Sequence, residues 1–238
     1  MINNEKYCVI SCHVMWRELC YYASLSNKSV NFIFLEQGLH CTPDILREKL
    51  QNEIDKVDGE YEYILLGYGL CSRGTENITV SKSKLVLIKG HDCITFFLGS
   101  KERYKKYFDS NKGTYWYTPS WIETGTQPSE ERYNSCYKEY LERYGEENAE
   151  YLMEMEQGWF KEYNNAAYVD LGFMDAKEYK DYTRKCAEWL KWDYDELEGD
   201  SQLIKDFFAG NWDNDRFLIV NPGQKIIATN DNDIITAK

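Results

Sequence analysis

One of the chain's three histidines and one of its eight cysteines stand two positions apart in Lys89-Gly90-His91-Asp92-Cys93-Ile94-Thr95, directly after the apolar run 85–88. Open α/β sheets place their chemistry at such strand ends. Cys12, Cys41 and Cys71 fall at or just past the ends of three other expected strands, and His40 adjoins Cys41. Thiolate and imidazole suit zinc, iron and copper(I), whereas magnesium and calcium prefer oxygen. If 91–93 is extended, His91 and Cys93 share one face and Asp92 points away. Cys71 and Cys12 then complete a tetrahedral Cys3His set for zinc, with His40 replacing a ligand or supporting one from behind. Cys8, Cys20, Cys136 and Cys186 read as ordinary small hydrophobes. The sequence contains no Cys-x-x-Cys pair, which argues against a zinc ribbon or a thioredoxin-like motif.

The elements that must position these groups follow from hydrophobic period. Residues 7–12, 30–35, 63–69 and 85–88 are apolar runs without polar alternation, as expected for strands covered on both faces. Between them, Leu19, Tyr22 and Ala23 recur at helical spacing, and so do Ile45, Leu46, Leu50, Ile54 and Val57 behind the Thr42-Pro43 start signal. Helices between buried strands imply right-handed β-α-β units whose carboxyl ends share one edge. The expected fold class is α/β, a mainly parallel open sheet in Rossmann-like layers with helices on both faces.

Further along, 101–108 reads as the end of a helix begun near Cys93, and 113–121 as an aromatic strand closed by Pro119. Residues 129–163 read as an acidic helical insertion or subdomain, with Ser129 as N-cap and a break at Gly145. Residues 166–172 read as a strand, 175–191 and 200–209 as helices, and 217–220 as a last strand ended by Asn221-Pro222-Gly223; the tail beyond is an edge strand or mobile. The whole of 1–238 is expected to be a single α/β domain, a size such domains reach.

The net charge of −12 is unevenly placed. Before position 129 there are 15 acidic and 15 basic residues, and from there onward 25 acidic against 13 basic. Such a surface repels a phosphate backbone, so nucleic acid is not an expected partner. No stretch approaches a membrane span and the start carries no apolar signal region, so a cytoplasmic protein with reduced thiols is expected and no membrane partner.

Two other motifs invite ligands. Gly67-Tyr68-Gly69-Leu70-Cys71-Ser72-Arg73-Gly74 follows a strand and is glycine-rich, so Gly67 and Gly69 could expose N–H groups to a phosphate; no Gly-Lys-Ser/Thr follows, and a tight turn needing positive φ explains the glycines as well. Trp116 and Trp121 could line a pocket for a flat ligand, although tryptophan also simply builds strands. Asp170 is placed to act as an acid or base, or to cap the next helix.

Cys12 with Glu18, Gly38-Leu39-His40, the Gly67–Cys71 block, His91-Asp92-Cys93-Ile94-Thr95 with Leu98-Gly99-Ser100, and Pro222-Gly223 together resemble the family called domain of unknown function 1638. The resemblance spans nearly the whole chain, with Lys89-Gly90 standing where the family pattern has Pro-Arg. It implies no established activity. Members occur in bacteria and methanogenic archaea, some encoded near corrinoid-dependent methyltransferases, which implies one-carbon metabolism and a small-molecule or corrinoid-protein partner.

The expectation is a zinc protein acting in thiol or methyl-group transfer, with Cys12, Cys71, His91, Cys93 and His40 as the ligand pool. Two alternatives use the same residues. One is a corrinoid or other macrocycle binder or chaperone, with Trp116 and Trp121 as its platform and His91 as an axial ligand. The other is a redox iron or iron–sulfur protein.

Overall fold

The computed structural model describes residues 5–125 and 127–238. It divides into two compact units, one formed by the chain up to Lys105 together with Gly199–Lys238, the other by Lys106–Glu198.

In the first unit, β1 (Lys6–Cys12), α1 (Trp16–Ser24), β2 (Ser29–Leu35), α2 (Pro43–Val57), β3 (Tyr63–Gly67) and β4 (Lys84–Ile88) form the expected β-α-β frame. β1 pairs in parallel with β2 and β3, and β3 pairs in parallel with β4. Strand parity divides the core. Cys8, Ile10, Ile64, Leu66, Leu85 and Leu87 face α2, whose Leu46, Leu50 and Ile54 are completely buried against them. Burying each such side chain contributes about 1.5–3 kcal/mol. Ile45, expected in this stripe, is 47% exposed, because adjacent residues of a helix stand about 100° apart and the buried face is centred on Leu46, Leu50 and Ile54.

Asp58 ends α2 and ties it to the entry of β4. Its carboxylate accepts the N–H groups of Ser81 (2.9 Å), Lys82 (3.0 Å) and Ser83 (2.7 Å). Desolvation raises its pKa, but these N–H donors outweigh that and hold it below the usual carboxylate range. A lowered folded pKa means stability that is fully present above the unfolded value near 4 and is lost as pH falls through the folded value. Asp58→Ala is therefore expected to cost about 1–2 kcal/mol at neutral pH, a figure reduced for solvent exposure, and to lose that deficit in acid. Urea midpoints of the two proteins at neutral and strongly acidic pH check this; a deficit independent of pH would refute it.

The expected helix from Cys93 to 108 is two helices, α3 (Ile94–Leu98) and α4 (Lys101–Ser110). Gly99 breaks them with φ +80°, a conformation glycine adopts without steric cost. In the second unit, β5 (Thr114–Tyr117) stops short of the expected 121. Pro119 closes it by opening α5 (Pro119–Thr124), the first-turn position where its missing N–H costs nothing. α6 (Glu130–Tyr144) carries the expected Ser129 cap, whose hydroxyl accepts Arg132 N–H at 3.1 Å, and Gly145 separates it from α7 (Glu146–Gln157). β6 (Asn165–Asp170), α8 (Lys177–Leu190) and β7 (Asp193–Glu198) follow, and β5-β6-β7 form a second parallel sheet. β7 was not legible in the sequence.

The chain then returns to the first unit. α9 (Gln202–Ala209) places Phe207 and Phe208 against Phe96, Phe32 and Phe217, on the face opposite α2, where it also packs against α1 and α3. β8 (Phe217–Val220) adds an antiparallel edge to β4, giving the order β2-β1-β3-β4-β8. The tail forms the antiparallel pair β9 (Ile226–Ala228) and β10 (Ile235–Ala237), with Ile226 and Ile235 fully buried on the α2 side. The fold is thus α/β with a mostly parallel open sheet covered on both faces. No helix among the described residues is long and apolar enough to cross a membrane.

Candidate functional site

The order β2-β1-β3 makes the carboxyl edge between β1 and β3 a topological switch point, because the chain leaves β1 toward one side and later toward the other. Crevices open there in doubly wound sheets. Cys12 is the last residue of β1, Tyr68 to Cys71 follow β3, and Asp92 and Cys93 follow β4. His40 lies on the turn Leu39–Cys41 beyond β2.

The loops after β3 and β4 are bonded to each other by backbone. Leu70 N–H donates to Gly90 O and Cys71 N–H to His91 O, both at 2.8 Å. The glycines serve close approach here, not positive φ. A Cβ on Gly69 would lie 2.6 Å from Gly90 O, and one on Gly67 would fall on the Ser11 side chain. Left-handed backbone belongs instead to Cys71 (φ 47°), Ser72 (φ 55°) and Arg73 (φ 68°). Such residues cost roughly 1–2 kcal/mol each, so other contacts must hold them. Arg47 of α2 does so, donating from Nη2 to Arg73 O at 3.0 Å and from Nε to Glu76 O at 2.7 Å, while Arg73 grips the Glu76 carboxylate. Strain maintained in this way is concentrated at functional positions in proteins generally.

Cys12, Cys71 and Cys93 come within electrostatic range of one another and of Tyr68. Burial pushes the Cys12 thiol up to about 11, partly offset by the N–H groups of Val14 and His13. Burial also raises Cys71 and Cys93, and Asp92 raises both further. The Tyr68 hydroxyl is buried facing Cys12, with no conventional hydrogen-bond partner among the described residues. The leading causes of these shifts are burial and neighbouring acidic groups, so a bound cation is the kind of charge that would reverse them.

Asp92 does not point away. Residues 91–93 bend into the first turn of α3 rather than staying extended, so strand parity does not apply. Asp92 accepts Ile94 N–H at 3.0 Å and the Tyr104 hydroxyl at 2.8 Å, and burial raises its pKa. The same bend leaves His91 exposed, lining a surface depression with Lys101, Lys105 and Asp215. His40 is half-buried, and desolvation lowers its pKa more than the Asp92 charge raises it. The edge therefore gathers Cys12, Cys71, Cys93, Tyr68, Asp92, Tyr104 and His40, and leaves His91 and the exposed Cys41 outside. Asp92, Tyr68 and Tyr104 were missed as members; only the Asp92-Cys93 adjacency hinted at one of them.

The donor types fit a soft metal, but among the described residues no three His, Cys, Asp or Glu side chains are arranged to hold one. Trp116 and Trp121 do not form a common platform. Trp116 packs on Tyr107 on one face of β5, whereas Trp121 donates to the hydroxyl of Tyr115, which strand parity places on the other face. Asp170 accepts Gly172 N–H and pairs with Lys180 at 2.8 Å, the bonding of a turn.

Fold and site together define a doubly wound α/β protein that gathers Cys12, Cys71 and Cys93 at its switch-point edge. The chain belongs to the family described as Protein of unknown function (DUF1638), whose model matches residues 34–208, that is 175 of the 238. The match takes in His40, Cys71, Asp92 and Cys93; Cys12 precedes it. No curated protein and no solved structure matches the chain.

Proposed function

We propose that the switch-point crevice is a soft-metal site, with zinc held by the thiolates of Cys12, Cys71 and Cys93 and the fourth position left to His40 or to an incoming ligand. The observation that carries this reading is the convergence of three cysteines, from the loops at three strand ends, on one edge where Cys71 and Cys93 are buried and Cys12 half-buried. Zinc, when bound, would hold a substrate thiol as thiolate at neutral pH, the form that accepts a methyl group. The chain's own residues supply the rest. The Cys71 N–H bond to His91 O and the close contact at Gly69 set the spacing of the β3 and β4 loops, Arg47 braces the turn at Arg73 and Glu76, and burial of Cys71 and Cys93 keeps water from their sulfurs. Thiol or methyl-group transfer with a small-molecule or corrinoid-protein partner is the activity this arrangement suits.

Elemental analysis of anaerobically purified protein, before and after reconstitution, tests the reading. About one zinc per chain is expected, and less than about 0.2 metal per chain after reconstitution would reject it. Iron with visible absorption would replace zinc transfer chemistry by a redox site. Co-elution with cobalamin and a changed corrinoid spectrum, without metal, would replace it by macrocycle binding.

A further inference from the structure

A second surface, confined to the second unit, has a chemistry of its own. α7 carries five glutamates and neither lysine nor arginine. Its inner side buries Ala149 and Met153 and anchors on α6 through Glu156, which accepts from Arg132 and from the Tyr140 hydroxyl. Helical spacing sends Glu147, Tyr151, Glu154 and Met155 to the opposite side, with Glu150 at its border. All five are exposed. Met155 at 66% and Tyr151 at 63% are the most exposed large hydrophobic residues among those described, and they sit one turn apart. An apolar pair framed by carboxylates on three sides is costly to leave in water and repels anionic surfaces, nucleic acid and acidic membranes alike.

We infer that this face of α7 docks a basic amphipathic helix of a partner protein. The partner's apolar residues would cover Tyr151 and Met155, and its lysines or arginines would meet Glu147, Glu150 and Glu154. Charge complementarity selects this occupant over a second copy of the chain, because two such faces would bring like charges together. Methionine suits the role, since its flexible thioether adapts to different apolar partners.

The test uses the full chain and a labelled peptide of about 18 leucines and lysines at helical spacing, with a glutamine-for-lysine version as control. Binding near 10 µM, weakened by salt, is expected for the lysine peptide and at least about tenfold weaker binding for the control. Tyr151→Ala/Met155→Ala and Glu147→Gln/Glu150→Gln/Glu154→Gln should each weaken binding by at least about tenfold. Glu48→Gln/Asp55→Asn/Glu60→Gln, which removes as many charges elsewhere, should leave it unchanged. Equal binding by all variants, or no binding at about 1 mM peptide, would overturn the inference. A concentration-dependent dimer abolished by Tyr151→Ala/Met155→Ala would overturn it in favour of self-association.

Discussion

Cys93→Ser is expected to weaken zinc binding by at least about a hundredfold, and Cys71→Ser and Cys12→Ser to do the same. Serine nearly preserves the volume of cysteine, so packing around each position changes little. Its hydroxyl, however, does not ionise near neutral pH and is a hard donor where a soft one is required. Cys8→Ser and Cys136→Ser provide the contrast. Cys8 is 1% exposed in the core beneath α2, and Cys136 lies half-buried on α6 beside Glu156, so both should retain the metal even where stability falls. The histidines separate two ligand sets that sequence alone left open: His40→Ala should lower retention, whereas His91→Ala, at an exposed position, should not. Competition with a chromophoric chelator reads all seven proteins. Equal retention across the series would return these cysteines to ordinary core duty.

Gly69→Ala is expected to destabilise the first unit by about 3 kcal/mol, at the upper end of what overpacking costs. The added methyl would meet Gly90 O at 2.6 Å, Asp92 N at 3.0 Å and Asp92 Cα at 3.1 Å, all of them backbone. Relief would require parting the loops after β3 and β4, which breaks the 2.8 Å bonds from Leu70 N–H and Cys71 N–H. Cys71 and Cys93 would separate as a consequence, so metal retention should fall together with stability. Gly158→Ala is the control, since nothing lies within 4 Å of its absent side chain and its φ is −53°. That change should be neutral or stabilise by up to about 1 kcal/mol. Urea midpoints, with amide hydrogen exchange to locate the loss, decide the matter; a Gly69→Ala protein as stable as the parent would show that the loop contact is not rigid.

The legible part of this protein was the part whose physics is local. Four apolar runs too hydrophobic for a solvated face specified β1 to β4, the periodic stripe of α2 marked its buried side, and the placement of Cys12 at a strand end and of Cys71 and Cys93 in the loops that follow two others came from chain order. β7 was hidden because Asp193-Tyr-Asp-Glu-Leu-Glu has no apolar run. It is a strand because β6 offers it backbone partners, and as an edge strand it tolerates charge, with Arg184 and Lys180 meeting Glu196.

Tertiary structure alone decided which neighbours in the His91-Asp92-Cys93 triplet join the cysteines at the switch-point edge. The triplet bends into α3, with Cys93 as its N-cap already in helical φ/ψ, so the alternation of an extended strand does not apply to it. It also decided that Cys71, Ser72 and Arg73 take left-handed backbone. No local pattern announces it; the bonds that accompany it reach across the chain, from Cys71 N–H to His91 O at 2.8 Å and from the Arg47 guanidinium, 26 residues before Arg73, to Arg73 O at 3.0 Å. The amino-acid order sufficed to set the thiols on one rim, because strand ends are defined by where hydrophobicity stops. Their orientation depended on contacts between segments far apart in the chain, which no local pattern encodes.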